Sequence, residues 1–301
     1  MKQNTLGRSS VQVSEIGYGC MSLGHDHQQN ARLLHRALEL GVTFFDTADL
    51  YDRGFNEESV GRAFKGVRDQ VVIATKVGNR WREDGSGWDW DASAAYIRRA
   101  VEGSLKRLQT DYIDLYQLHG GTLGDDLDGV VETFEDLQAR GLIRAYGISS
   151  VRPNVIREWA KRSNMASVMT QYSLLDRRPE EAVLDSLHQH GVSVIARGPV
   201  ARGILSGDGA AKVQNGFLDH APETLELARA ALHALQTPTR TAAPSALRYA
   251  LAYPAVATVV PGASTMGQLE ENAGASGVTL NNAELEALRA LPTTTVYTQH
   301  R

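Results

Sequence analysis

Short apolar runs rich in Val, Ile, Phe and Tyr recur along the 301-residue chain. They are EIGYG (15–19), VTFF (42–45), VVIAT (71–75), YIDLYQL (112–118), RAYGI (144–148), SVMTQ (167–171), VSVIA (192–196) and ATVVP (257–261). Each is too short for a globular helix and is bounded by turn or polar residues, so each predicts a strand. Between most of them, apolar residues return every three or four positions. In residues 92–109, Tyr96, Ile97, Ala100, Val101, Leu105 and Leu108 form one stripe, as an amphipathic helix requires. Residues 126–140, 153–163, 179–190, 242–252 and 266–275 carry helical patterns too. Gly41, Gly141 and Gly191 each stand between a helix and the next strand, where a left-handed cap is expected.

Eight strands alternating with helices predict an α/β fold of the (β/α)8, or TIM, barrel type. A doubly wound sheet would carry GxGxxG after its first strand, and the chain has GYGCMSLG there. No linker or shift in composition divides the chain, so one domain over residues 1–301 is expected. The longest inserts follow the third strand (GNRWREDGSGWDWD) and the seventh (ARGPVARGILSGDGAAKVQNG).

Composition adds exclusions. The chain is 42% hydrophobic and 22% charged with a net charge of −4. Neither that charge nor any Lys/Arg run favours nucleic acid or an anionic membrane as a partner. The single cysteine, Cys20, permits no intrachain disulfide. With no signal-like N-terminus and no apolar stretch long enough to span a bilayer, a soluble, cytoplasmic protein is expected.

Barrel active sites lie at the C-terminal ends of the strands. Asp46 follows the second strand, with Tyr51 five residues on; Lys76 follows the third and His119 the fourth. Ser149 and Ser150 follow the fifth, Gln171 ends the sixth, Arg197 the seventh, and Gly262, Ala263 and Ser264 the eighth. A carboxylate directly after Phe44 and Phe45 needs a partner, because an unpaired buried charge is costly. Lys76, one strand over, supplies it. A lysine cation beside Tyr51 would favour tyrosinate and draw a phenol pKa down from about 10. Such a phenol can protonate a developing alkoxide near neutral pH, and His119 can donate to the same oxygen.

This constellation resembles the aldo-keto reductase family. The matching segments are FFDTADLYDRGFNEESVG (44–61), VVIATKVG (71–78), DYIDLYQLH (111–119), RAYGISS (144–150), MTQYSLLDRR (169–178), RGPVARGILSG (197–207) and VVPGASTMGQLEEN (259–272). They span nearly the whole chain in order. The resemblance implies reduction of a small carbonyl substrate, an aldehyde or reactive ketone, by NADPH. It makes Tyr51 the general acid, Lys76 and Asp46 its tuning pair, and His119 the group that orients the carbonyl. It places the nicotinamide carboxamide on Gln171 and Ser149, with Ser150 beside them. The loop carrying Arg197, Gly198, Pro199, Val200, Ala201, Gly203 and Leu205 would cover the pyrophosphate. Gly262, Ala263, Ser264, Thr265, Gln268, Glu271 and Asn272 would hold the adenosine end, with Glu271 and Asn272 facing the adenine. Gly19, Cys20 and Met21 complete the expected cofactor contacts, and Asp46 counts among them too. Cys20, Trp81 and Trp88 join Tyr51 and His119 as the expected substrate wall. The Trp-rich insert points to apolar or aromatic aldehydes, while Arg53 and Arg82 suit small polar dicarbonyls such as methylglyoxal; both stay open. So do the oligomeric state and the role of the tail VYTQHR (296–301).

Three features depart from the pattern. Ser150 stands where the family commonly has Asn, and a hydroxyl reaches less far than an amide. Arg197 replaces an aromatic residue that stacks on the nicotinamide in many members. A guanidinium can stack on a ring, but it tolerates neutral reduced nicotinamide better than the oxidised cation, so weaker binding of oxidised cofactor is expected. No Lys or Arg occupies position 264, yet Ser264 and Thr265 open a helix, a good phosphate site, and no Asp or Glu lies among residues 262–265. That balance favours NADPH over NADH.

Two rival readings remain. One is a nucleotide-sensing regulatory subunit with little turnover. The other rests on GHDH (24–27), where His25 and His27 resemble the HxH of metal-dependent hydrolases. Those enzymes need further ligands where this chain has Ser149, Gln171 and Gly262, so no metal is expected and GHDH reads as a solvated loop.

Overall fold

The computed structural model describes residues 1–294 and 296–301. The strands, in chain order, are β1 (Gln3–Thr5), β2 (Gln12–Ser14), β3 (Tyr18–Gly19), β4 (Phe44–Asp46), β5 (Val72–Val77), β6 (Asn79–Trp81), β7 (Trp88–Trp90), β8 (Ile113–Leu118), β9 (Ile143–Ser149), β10 (Ser167–Gln171), β11 (Ser193–Arg197) and β12 (Val256–Val260). Eight of these form one parallel sheet in the order β12-β11-β10-β9-β8-β5-β4-β3. The ring closes where Ile16 pairs with Val259 and the amides of Gly17 and Gly19 donate to Val259 and Pro261. The architecture is the expected barrel, and all eight predicted strands are present with ends shifted by a few residues.

Alternation decides what each strand presents. Phe44, Ala74, Leu115, Ala145, Met169 and Ile195 fill the barrel interior. Two residues further on, the same inward face carries Asp46, Lys76, Gln117, Gln171 and Arg197, because side chains on a strand repeat every second residue. The outward residues Phe45, Ile73, Tyr116, Tyr146, Val168 and Val194 pack on the surrounding helices. The interior is thus apolar below and polar at the rim.

The bottom of the barrel is closed by the β1–β2 hairpin, an element the hydrophobic pattern did not announce. Leu6, Val11 and Val13 are buried against the inner layer. Each contributes roughly 1.5–3 kcal/mol by leaving water.

The helices are α1 (His27–Glu39), α2 (Phe55–Phe64), α3 (Ala94–Leu108), α4 (Leu127–Ala139), α5 (Pro153–Arg162), α6 (Val183–Gln189), α7 (Pro222–Ala234), α8 (Ala242–Leu251), α9 (Met266–Gly274) and α10 (Asn282–Arg289). Gly41, Gly141 and Gly191 follow α1, α4 and α6 with φ of 87°, 74° and 65°. The stretch 179–190, expected as one helix, is two pieces: a 3-10 turn over Arg178–Glu181 and then α6. The break at Ala182 lets Glu180 turn inward, where its carboxylate accepts from Tyr172, Tyr249 and Arg177. No helix among the described residues is long and apolar enough to cross a membrane.

Candidate active site

The rim of the barrel opens into a cavity of about 790 Å3. Asp46, Tyr51 and His119 line it near one end, and Gly262, Ala263, Ser264, Gln268, Glu271 and Asn272 line it along the loop after β12 and α9. Lys76 lies just beneath, 1% exposed. Its ammonium donates to Asp46 Oδ2 at 2.7 Å, to the Thr47 carbonyl at 2.6 Å and to Tyr51 Oη at 3.3 Å. An ammonium has three donors, and all three are used. The other Asp46 oxygen accepts from Gln117 at 3.4 Å.

Burial pushes the Lys76 ammonium down, but the Asp46 carboxylate and Tyr51 outweigh it and hold its pKa above the ordinary value. Burial likewise lifts the Asp46 carboxyl, opposed by Lys76. His119 meets Tyr51 edge-on, the ring centroids 6.0 Å apart. Burial, with Lys76 and Arg197 nearby, pushes its pKa down to about 3. The imidazole is therefore neutral, with one N–H to give. Its Nδ1 is buried without a partner, so the tautomer that carries the proton on Nε2 wastes no donor.

Tyr51 owes its position to a tight turn. Asp52 and Arg53 follow it in the left-handed region, at φ 48° and 54°, before Gly54 at 92°. Non-glycine residues rarely adopt this conformation. The turn is braced from the insert after β5, which folds as the antiparallel β6–β7 hairpin. Trp81 Nε1 donates to the Leu50 carbonyl at 3.1 Å, Arg53 lies over the Trp81 ring, and Trp88 meets that ring edge-on. Trp81 and Trp88 do not line the cavity. They support the wall that carries Leu50 and Tyr51 instead of forming it. Arg82 is paired with Asp89 at 2.7 Å, and neither Arg82 nor Arg53 reaches the cavity.

The remaining expected contacts divide in the same way. Gly19, Met21, Ser149, Ser150, Gln171, Arg197, Gly198, Pro199, Val200 and Gly203 line the cavity. Cys20, Ala201 and Leu205 lie behind the wall, each at most 1% exposed. The Cys20 thiol faces inward to the Tyr18 carbonyl, and burial holds its pKa well above the ordinary range. Thr265 spends its hydroxyl capping α9. The backbone N–H and hydroxyl of Ser264 both donate to Gln268 Oε1, at 2.9 and 3.1 Å. The cavity also has a wall that the motifs did not single out: Ser22, Val151, Arg152, Arg202, Ser206, Lys212 and Phe217. Basic residues in the insert after the seventh strand were the available signal.

GHDH is the expected solvated loop over Gly24, His25 and Asp26, which are exposed, and only His27 is partly covered. Asp26 caps α1 by accepting from the amides of Gln28 and Gln29. His27 is the first residue of that helix, hydrogen-bonded to Ser59 and stacked on Phe55 at 4.1 Å.

Behind the site lies a second carboxyl, Asp49, whose backbone N–H donates to the Lys76 carbonyl. Its Oδ1 is buried without a partner. Glu57, fully buried beside it, is bonded to Thr75 and Arg107. Burial and then Glu57 raise the Asp49 pKa to about 8. An unfolded aspartate titrates near 4. Asp49 therefore contributes stability that is present below about pH 4 and lost as pH rises through about 8. Asp49→Asn should raise stability at pH 8 by on the order of 1–3 kcal/mol and change little at pH 4. Urea unfolding at both pH values checks this; a pH-independent difference would overturn it.

The aldo/keto reductase family model matches residues 15–292. The uncharacterized oxidoreductase YqkF of Bacillus subtilis is 49% identical, with 100% of both chains covered. The holo form of aldo-keto reductase AKR11C1 from Bacillus halodurans superposes with a TM-score of 0.93 at 50% identity, covering 100% of this chain and 99% of that one. The aldo-keto reductase yakc [NADP(+)] of Schizosaccharomyces pombe is 30% identical over 92% of this chain and 88% of its own. Sequence matches that run end to end, on a barrel whose rim gathers a phenol, a buried lysine–aspartate pair and a neutral imidazole, leave one assignment: the chain belongs to the aldo/keto reductase family of NAD(P)H-dependent oxidoreductases.

Proposed function

We propose that the protein reduces aldehydes or reactive ketones to alcohols with NADPH, and that Tyr51 is the general acid. The observation that carries this reading is the Lys76 ammonium, buried between Asp46 and Tyr51 at the edge of the cavity. When bound, the cofactor supplies the hydride. Tyr51 delivers the proton to the carbonyl oxygen, and Lys76 stabilises the negative charge left on the phenol. Neutral His119 donates a hydrogen bond that orients the same oxygen.

The cavity suits a dinucleotide phosphate. Its wall includes Arg152, Arg197, Arg202 and Lys212, none of which joins an ion pair among the described residues. Four cations without a carboxylate partner favour an anionic ligand. The N-terminus of α9 offers the backbone N–H groups of Met266 and Gly267 to the phosphate at the adenosine end, and the yeast relative's name carries NADP(+). Arg197, half-buried and lowered in pKa by burial, keeps a positive charge near the nicotinamide position and disfavours the oxidised ring. Met21, Leu50, Val151 and Phe217 make part of the wall apolar, which suits an apolar carbonyl compound.

Purified protein should oxidise NADPH when offered small aldehydes, use NADH less well, and bind NADPH more tightly than NADP+. Absorbance assays and fluorescence titrations measure all three. Tight NADPH binding without turnover on any aldehyde would sink carbonyl reduction and favour a sensing role. Equal affinity for both redox forms would remove the role given to Arg197.

A further inference from the structure

Gln171 has two chemically different ends, and each faces a different charge. Its amide nitrogen donates to Asp176 Oδ2 at 2.8 Å, and its amide oxygen accepts from Arg197 Nη1 at 3.1 Å. A carboxylate only accepts and a guanidinium only donates, so one orientation of the amide satisfies both. Asp176 is fully buried on the turn after β10, where its backbone N–H bonds to Ser173. Arg178 grips both of its oxygens through Nε and Nη2, each at 2.7 Å. Such bidentate pairs fix geometry as well as charge. Residues near the C-terminus buttress the grip. Tyr297 lies against Arg178 at 5.3 Å, and the Arg177 amide donates to the Thr294 carbonyl. Neither Thr294 nor Tyr297 lines the cavity.

We propose that Asp176, held by Arg178, is a positioning residue for the nicotinamide end of the cofactor. It acts by fixing which face of the Gln171 amide meets the ligand. The inference rests on the reading that Gln171 takes the nicotinamide carboxamide. A glutamine amide offers two N–H groups and two lone pairs. Asp176 and Arg197 take one of each. One N–H and one lone pair remain on a side chain that lines the cavity, and a carboxamide presents the matching acceptor and donor. Without the carboxylate, nothing opposes a turned-over amide except Arg197 alone.

The test is Asp176→Asn, which keeps size and removes charge. Affinities for NADPH and for its adenosine bisphosphate fragment, which lacks the nicotinamide half, are measured by titration calorimetry. NADPH binding should weaken by roughly tenfold, the scale of one displaced hydrogen bond to a charged group, while the fragment changes by less than about twofold. Gln171→Ala should weaken NADPH similarly, and adding Asp176→Asn to it should have little further effect, because both act through one contact. Equal weakening of NADPH and the fragment would reduce Asp176 to a structural support and overturn the proposal, as would unchanged NADPH affinity. Unchanged NADPH affinity in Gln171→Ala alone would instead sink the underlying carboxamide reading. Should Asp176→Asn fail to fold, Arg178→Gln keeps the carboxylate and loosens its clamp; a smaller loss confined to NADPH supports the proposal, and a loss shared with the fragment overturns it.

Discussion

Tyr51→Phe should lower kcat/KM for aldehyde reduction by roughly two to four orders of magnitude, the range that a positioned proton donor contributes. The ring stays, so the edge-on contact with His119 and the turn at Asp52 and Arg53 stay with it. Only the hydroxyl goes, and with it the third acceptor of Lys76. NADPH affinity should therefore remain within about threefold of wild type, since the phenol is asked to act on the substrate oxygen. Steady-state kinetics with a titration of NADPH separate the two quantities. A variant that binds cofactor normally and turns over within tenfold of wild type would remove Tyr51 as the acid and pass the role to His119. That alternative has a physical obstacle. The imidazole is neutral down to about pH 3, so at neutral pH it can donate a hydrogen bond but has no surplus proton to lose.

How much of this was legible in the sequence follows from one property of strands. Inward and outward residues alternate, so a polar residue two positions beyond an inward apolar one stays on the inner face and reaches the rim. Asp46 after Phe44, Lys76 after Ala74, Gln171 after Met169 and Arg197 after Ile195 all obey this rule. Elements outside that period were harder to read. The β1–β2 plug has three-residue strands, too short for alternation to register. Helix α2 buries Asn56, Glu57 and Ser59 on its inner side, so its core face does not look apolar. Trp81 and Trp88 were placed near the site by their position in the chain. Which side of the wall they occupy depended on the register of a hairpin that pairs Trp81 with Trp88. The cations Arg202 and Lys212 come from an irregular segment with left-handed residues at Ala201, Arg202 and Gly203, and no repeating pattern assigns a direction to side chains there.

Lys76→Met should abolish measurable reduction and also destabilise the fold by about 3–5 kcal/mol, because it leaves the Asp46 carboxylate buried without its partner. Two effects in one variant cannot be told apart by activity alone, and the ion pair supplies the means to separate them. Asp46→Asn removes the other charge and leaves the ammonium stranded, with a loss of similar size. The double variant, Asp46→Asn with Lys76→Met, strands neither charge. It should be more stable than the sum of the single losses implies by about 2–3 kcal/mol, as read from urea unfolding. The Thr47 carbonyl still loses its donor, so recovery stays incomplete. Activity should not recover at all, since Tyr51 would then face no cation when it gives up its proton. Additive destabilisation would mean that the 2.7 Å contact between Lys76 and Asp46 carries no coupling. A stable double variant that regains turnover would mean that the pair serves the fold alone and that Tyr51 works without it. Recovered stability with persistent inactivity is the outcome that assigns the buried pair to catalysis, because only then has each charge been removed without leaving the other unpaired.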